Sequence, residues 1–169
     1  MTVVEQGYKA EVDFSGSPTL SRFMESEARV RIIQGPVGSG KSVACCAEIM
    51  RLAMSQEPSE DGVRYSKAGV IRNTYGELRT TTLETWKEFF PEENCGPIRY
   101  TAPITHHIVI PDFLDLQVLF VSADRPKDVR KLLSLELSFL WFNEFREIER
   151  AIFTAAGDRI GRYPSIKNH

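Results

Sequence analysis

Gly35-Pro36-Val37-Gly38-Ser39-Gly40-Lys41-Ser42 fills every fixed position of the phosphate-loop pattern G-x-x-x-x-G-K-[ST], which commits the chain to an α/β fold. A triphosphate needs several donors aimed at crowded oxygens, and backbone N–H groups supply them only where side chains leave room. Gly35, Gly38 and Gly40 give that room and tolerate positive φ. Lys41 brings a compact charge that can reach the β- and γ-phosphates, and the Ser42 hydroxyl can ligate Mg²⁺. Pro36, Val37 and Ser39 complete the loop. Upstream, Arg29–Gln34 (RVRIIQ) reads as a short strand; downstream, Ser42–Met54 (SVACCAEIMRLAM) has no Gly or Pro and reads as a mostly buried helix. Strand, loop and helix form the required setting, and the helix N-terminus adds its dipole to anion binding. These residues point to ATP with Mg²⁺.

The chain has 169 residues, about one domain, and its 42% hydrophobic and 10% aromatic content is ordinary for a globular protein. A net charge of −2 gives no global attraction to nucleic acid or anionic membrane, although a local basic patch can still hold DNA. No apolar run approaches the ~20 residues of a membrane span, and Met1–Asp13 lacks the apolar core of a signal peptide. Cys45 and Cys46 fall next to each other on the helix after the loop, so they point to different faces and read as small buried hydrophobes; Cys95 lies in a turn-like stretch. A reducing compartment fits this usage.

Along the chain, residues 1–17 read as an arm with little regular structure, and Ser17-Pro18 opens a short helix that could place Arg22 or Phe23 near an adenine. Residues 67–73 read as a strand. Thr74–Phe90 is helical in period and ends at Pro91. Residues 98–110 contain short β-prone pieces. His106 and His107 lie side by side on one of them, so they face opposite sides and do not converge on one ion. Residues 115–121 form another strand, Pro126–Leu133 a short basic helix, and Leu137–Phe142 an apolar run suited to a buried parallel strand. Residues 146–156 read as a final helix. Alternating strands and helices imply an α/β sheet, mostly parallel and flanked by helices, with a β-rich insertion near 98–121; with the phosphate loop, the expected class is a P-loop NTPase of the ASCE type. The expected division is an arm and short helix over 1–27 and an ATPase domain over 28–169.

A second half of the site follows the apolar run. P-loop ATPases place an acid at a strand end to hold the Mg²⁺ shell, and here Asn143 stands where Asp is usual, followed by Glu144. Glu144 is the candidate general base that orients and deprotonates the attacking water. Asn143 can accept a bond from a Mg²⁺-bound water without adding negative charge, which implies weaker Mg²⁺ affinity. A glutamate in this position argues for hydrolysis over phosphate transfer to a bound acceptor.

Four stretches together resemble the N-terminal ATPase domain of tailed-bacteriophage large terminases: GPVGSGKS (35–42), VIRNTYGELRTTT (70–82), LSFLWFNEFREI (137–148) and DRIGRYPS (158–165). The resemblance implies ATP-driven translocation of double-stranded DNA into a capsid in the host cytoplasm. It also implies a homo-oligomeric ring docked on a portal protein and assisted by a small terminase subunit. Lys41 and Ser42 would carry the phosphate and metal roles, Asn143 the metal shell and Glu144 catalysis. Many terminases have Arg four residues before the loop Lys; Val37 stands there here, so another arginine must meet the γ-phosphate. Arg130 is the first choice, with Arg125 and Arg159 as alternatives, each able to act from a neighbouring subunit. Arg72 and Arg79 are candidates for DNA phosphate contact. A terminase of this kind continues into further strands and a nuclease, so the resemblance implies a fragment with a sheet incomplete at its C-terminal side. Two other readings stand beside this one: a nucleotide-binding module with weak or no hydrolysis, and a piece of another P-loop ATPase such as a helicase.

Overall fold

The computed structural model describes residues 2–5, 8–124, 130 and 132–164, with the backbone alone over 2–11. Its centre is the strand β3 (Arg64–Arg72), whose residues from Ala68 to Arg72 are all buried because both sheet faces are covered there. The elements are β1 (Thr2–Glu5), β2 (Tyr8–Glu11), α1 (Pro18–Glu25), α2 (Lys41–Met54), β3, α3 (Tyr75–Glu77), a π-helical turn (Leu78–Thr82) and α4 (Leu83–Phe89). They continue as α5 (Glu92–Cys95), β4 (Ile98–Arg99), β5 (Ile104–Ile110), β6 (Leu114–Ser122), β7 (Phe139–Phe142), a 3-10 turn (Phe145–Glu147) and α6 (Arg150–Gly157).

The main sheet has five strands in the order β4-β5-β6-β3-β7. β3 lies parallel to β6 on one side, from Arg64↔Leu114 to Arg72↔Ser122, and parallel to β7 on the other, from Ala68↔Phe139 to Ile71↔Phe142. β5 runs antiparallel to β6, and β4 antiparallel to β5. The fold is therefore mixed α/β, and the sheet is mixed rather than mostly parallel. The β-prone stretch expected as an insertion is part of that sheet: a tight Asp112 turn returns β5 into β6, which then pairs with β3. Gly69 fits where β7 crosses closest, since a Cβ there would sit 3.0 Å from Leu137 Cδ1 and 3.1 Å from Leu140 Cδ1.

Period-two alternation divides the core between two faces. Leu116, Val118 and Phe120 of β6 join Cys46, Ile49 and Met50 of α2 and Trp86 of α4. Leu119 and Val121 face the opposite way, onto Leu137, Ile148, Ile152 and Ala156. The neighbouring histidines behave as their spacing requires. His106 is fully buried, accepting the Trp86 indole N–H at Nδ1 (2.9 Å), while its Nε2 faces the Gly96 carbonyl at 2.9 Å, so the proton sits on Nε2. His107 is exposed and meets Asp115 at 2.8 Å. Cys45 and Cys46 are free and buried, and burial pushes the Cys45 thiol up to about 12 and the Cys46 thiol higher still.

Several expectations are corrected. Arg29–Gln34 is not a strand: Val30 and Ile32 are 63% and 75% exposed, because no described strand offers its backbone a partner. What holds the segment is Arg31, which bonds the carbonyls of Phe23 and Ser26, lies 5.2 Å over the Phe23 ring and pairs with buried Glu48 of α2 at 2.5 Å. Arg51 grips the other side of Glu48 in a two-bond fork at 2.7 Å. The N-terminal stretch, expected without regular structure, pairs its backbone as an antiparallel β1–β2 hairpin. The helix expected over Thr74–Phe90 runs without a break from Tyr75 to Phe89, with a π-helical stretch in its middle, whereas the last helix starts only at Arg150 and is preceded by a separate 3-10 turn. The basic helix over 126–133 lies mostly outside the described residues. No described helix is long and apolar enough to cross a membrane.

Candidate nucleotide site

The loop is built by its glycines. Gly38 and Gly40 both have φ of 77°, in the left-handed region, and Gly40 is the N-cap from which the 14-residue α2 starts. The first α-helical hydrogen bond runs from Ala44 N–H to Gly40 C=O at 2.9 Å, so the N–H groups before it stay free at the positive end of the helix. Ser39 Oγ donates to the Pro36 carbonyl at 2.8 Å, closing the turn. Lys41 Nζ donates to the carbonyls of Gly35 and Pro36 at 2.8 and 2.6 Å, with Ser39 Oγ at 3.4 Å. Its charge is thus held at the mouth of the loop by neutral oxygens, and no described carboxylate pairs with it. Val37 is fully exposed at the tip. Beside the loop, Arg22, Phe23, Ile32 and Gln34 help line an open pocket of about 350 Å³ between α1 and the segment entering the loop.

The second part of the site lies at the C-terminal ends of β3 and β7. Asn143 follows β7 and is anchored twice: its backbone N–H donates to Ile71 C=O at 2.9 Å, and its side-chain Nδ2 donates to Thr82 Oγ1 at 2.7 Å. Glu144 comes next with φ 54° and ψ 59°, a left-handed conformation that a non-glycine residue adopts at a cost. It is exposed, and among the described residues its carboxylate has no hydrogen-bond or ion-pair partner. Among the described residues no hydrogen bond or ion pair joins Lys41 or Ser42 to Asn143 or Glu144.

The arginines sort by burial. Arg72 is only 7% exposed, and its Nη2 meets Glu77 at 3.4 Å and Glu147 at 3.5 Å, while Nε and Nη1 are buried without partners. It is therefore not free to contact DNA phosphates, which corrects the expectation from its strand-end position. Thr74 and then Arg72 hold the Glu77 carboxyl below its ordinary value. Arg79 and Arg130 are exposed. Arg159 is half-buried; its backbone carbonyl accepts the Leu137 N–H at 3.0 Å and its Nε is buried unpaired. Arg125 lies outside the described residues. Sequence reasoning missed the Thr82–Asn143 bond because its ends lie 61 residues apart, and no local pattern links them.

No family model and no curated protein matches the sequence. Solved structures do match. One is the large terminase of a thermophilic bacteriophage, with a TM-score of 0.63 and 12% identity, covering 85% of this chain and 36% of that one. A second crystal form of the same protein gives 0.60 and 13%, covering 86% and 35%. The structure of that terminase in complex with ADP gives 0.62 and 13%, covering 85% and 36%. This chain therefore spans about a third of the length of the structures it resembles, and over that span it has the fold of a phage large terminase.

Proposed function

We propose that this chain is the ATPase motor portion of a phage DNA-packaging terminase, binding and hydrolysing ATP with Mg²⁺ to drive double-stranded DNA into a capsid. The observation that carries the reading is the loop from Gly35 to Ser42. Two left-handed glycines open a cradle of free N–H groups at the start of a long helix, with the Lys41 ammonium at its mouth. The matching fold includes a terminase solved with ADP. A triphosphate would draw Lys41 off the Gly35 and Pro36 carbonyls, because an ammonium gains far more from a phosphate anion than from neutral oxygens.

No group of three or more described His, Cys, Asp or Glu residues gathers to hold a metal by itself. The donor set suits Mg²⁺ delivered with the nucleotide: the Ser42 hydroxyl and the Asn143 amide oxygen, left free by the bond from Nδ2, are neutral oxygen ligands. When bound, the ion would offset phosphate charge. Glu144, exposed just after β7, accepts the proton of the attacking water. Arg130, exposed beyond the sheet, is our choice for the residue that meets the γ-phosphate, acting on a neighbouring subunit in a ring. Arg79, exposed on the π-turn, is the remaining candidate for DNA contact. Portal protein and small terminase subunit are the proposed partners, and the host cytoplasm the proposed place of action.

The neutral Asn143 at the strand end, where an acid is usual, favours a second reading, a nucleotide-binding module whose hydrolysis is weak. ATP turnover by the chain, with and without double-stranded DNA, decides between them. DNA-stimulated turnover that disappears in E144Q supports the motor; tight nucleotide binding without turnover under either condition supports the module.

A further inference from the structure

The stretch from Arg72 to Thr82 lies outside the phosphate loop, yet it meets both ends of the turn that carries Glu144. On the entry side, Thr82 Oγ1, in a residue 1% exposed, accepts the Asn143 amide at 2.7 Å. On the exit side, buried Arg72 reaches Glu147 and ties it to Glu77. Between these anchors sits Glu144 in its left-handed conformation, with the Glu147 N–H closing back onto the Glu144 carbonyl at 3.0 Å. Thr82 is the last residue of a five-residue π-helical turn, a feature that persists where it has a task, because its hydrogen bonding is poorer than that of an α-helix.

We infer that Thr82 is a positioning residue for Glu144. Its hydroxyl holds the Asn143 side chain while Ile71 C=O holds the Asn143 N–H, and an Asn143 fixed at both points keeps the next residue in the left-handed region with its carboxylate exposed. Relaxed backbone would let Glu144 fall back to φ < 0 and turn its side chain elsewhere. Arg72, through Glu147, keeps the far end of the same turn from opening. The consequence for turnover rests on the proposed ATPase reading; the conformational claim does not.

The test is a melting cycle on the full chain. In the wild-type background, E144G removes the left-handed strain and raises the melting temperature by about 2–4 °C. In the T82V background the turn is held only through the Asn143 N–H, so the same substitution gives a clearly smaller rise, whereas with T82S, which keeps the hydroxyl, the full rise returns. An equal rise in T82V and wild type overturns the inference, as does no rise in wild type. If T82V does not fold, N143A removes the same bond from the other side and enters the same cycle with the same two outcomes. In turnover, T82V lowers kcat by about tenfold or more with KM within about twofold, and T82S restores it. A T82V enzyme with unchanged kcat overturns the role in catalysis. A wild-type chain without turnover removes the proposed function, while the melting cycle still decides the positioning.

Discussion

Replacing Trp86 by Phe probes the contact that closes the core between α4 and the β4–β5–β6 part of the sheet. The indole is fully buried, 4.4 Å from the Phe90 ring centroid and 5.6 Å from that of Phe120, and its N–H is spent on His106 Nδ1 at 2.9 Å. Phenylalanine keeps an aromatic ring in place but takes away the donor, leaving a buried imidazole nitrogen unpaired at a cost of about 1–3 kcal/mol. The smaller ring adds a void worth about 1 kcal/mol more. The sum, about 2–4 kcal/mol, is a large share of the stability of a domain this size and corresponds to a fall of roughly 4–16 °C in melting temperature. Urea unfolding followed by circular dichroism measures it without depending on the lost fluorophore. A loss below about 1 kcal/mol would overturn this expectation, because it would mean that the indole N–H and His106 are not paired in the folded chain.

The same histidine sets a pH dependence. Burial holds the His106 imidazole below its ordinary value of 6.5, so the unfolded chain takes up the proton first. Stability is full above about pH 7 and is lost as pH falls from 6.5 toward the folded value; unfolding midpoints measured between about pH 8 and pH 5 should show this loss, and H106Q should flatten it. G40A places a side chain at φ 77° and 3.2 Å from Leu20 Cδ1, so it costs about 1–2 kcal/mol in urea unfolding and also weakens nucleotide binding. R31A removes one of the two arginines on buried Glu48; with Arg51 still in place the expected loss is about 2 kcal/mol, and amide exchange should speed up across residues 29–34 while α2 stays protected.

The parts of this fold legible in the sequence are those fixed by local chemistry. Gly38, Gly40 and Lys41 announce the loop because glycine takes that backbone at little cost, and the apolar runs of β3 and β6 announce strands covered on both faces, whereas the apolar run of β7 forms an edge strand in which only Phe139 is buried. Arg29–Gln34 has the same apolar alternation, yet a strand exists only where a neighbour completes its hydrogen bonds, and sequence says nothing about that neighbour. Parallel or antiparallel pairing was equally out of reach: a short turn at Asp112 makes β5 and β6 a hairpin, but nothing in β6 itself states that its other edge runs parallel to β3. At the site, Glu144 could be picked from its place after an apolar run. The roles of Arg72 and Thr82 could not, since burial against Glu147 and a bond to Asn143 are products of the tertiary fold.

Every proposed step of turnover depends on the Gly35–Ser42 loop holding a nucleoside triphosphate through Lys41. Isothermal titration of the chain with Mg²⁺-ATP, for wild type and K41A side by side, measures it directly. Wild type should show saturable one-site binding and K41A a loss of affinity of about tenfold or more, with the K41A chain melting within about 2 °C of wild type. Equal affinity in the two proteins, or no binding to wild type at millimolar ATP, would contradict it.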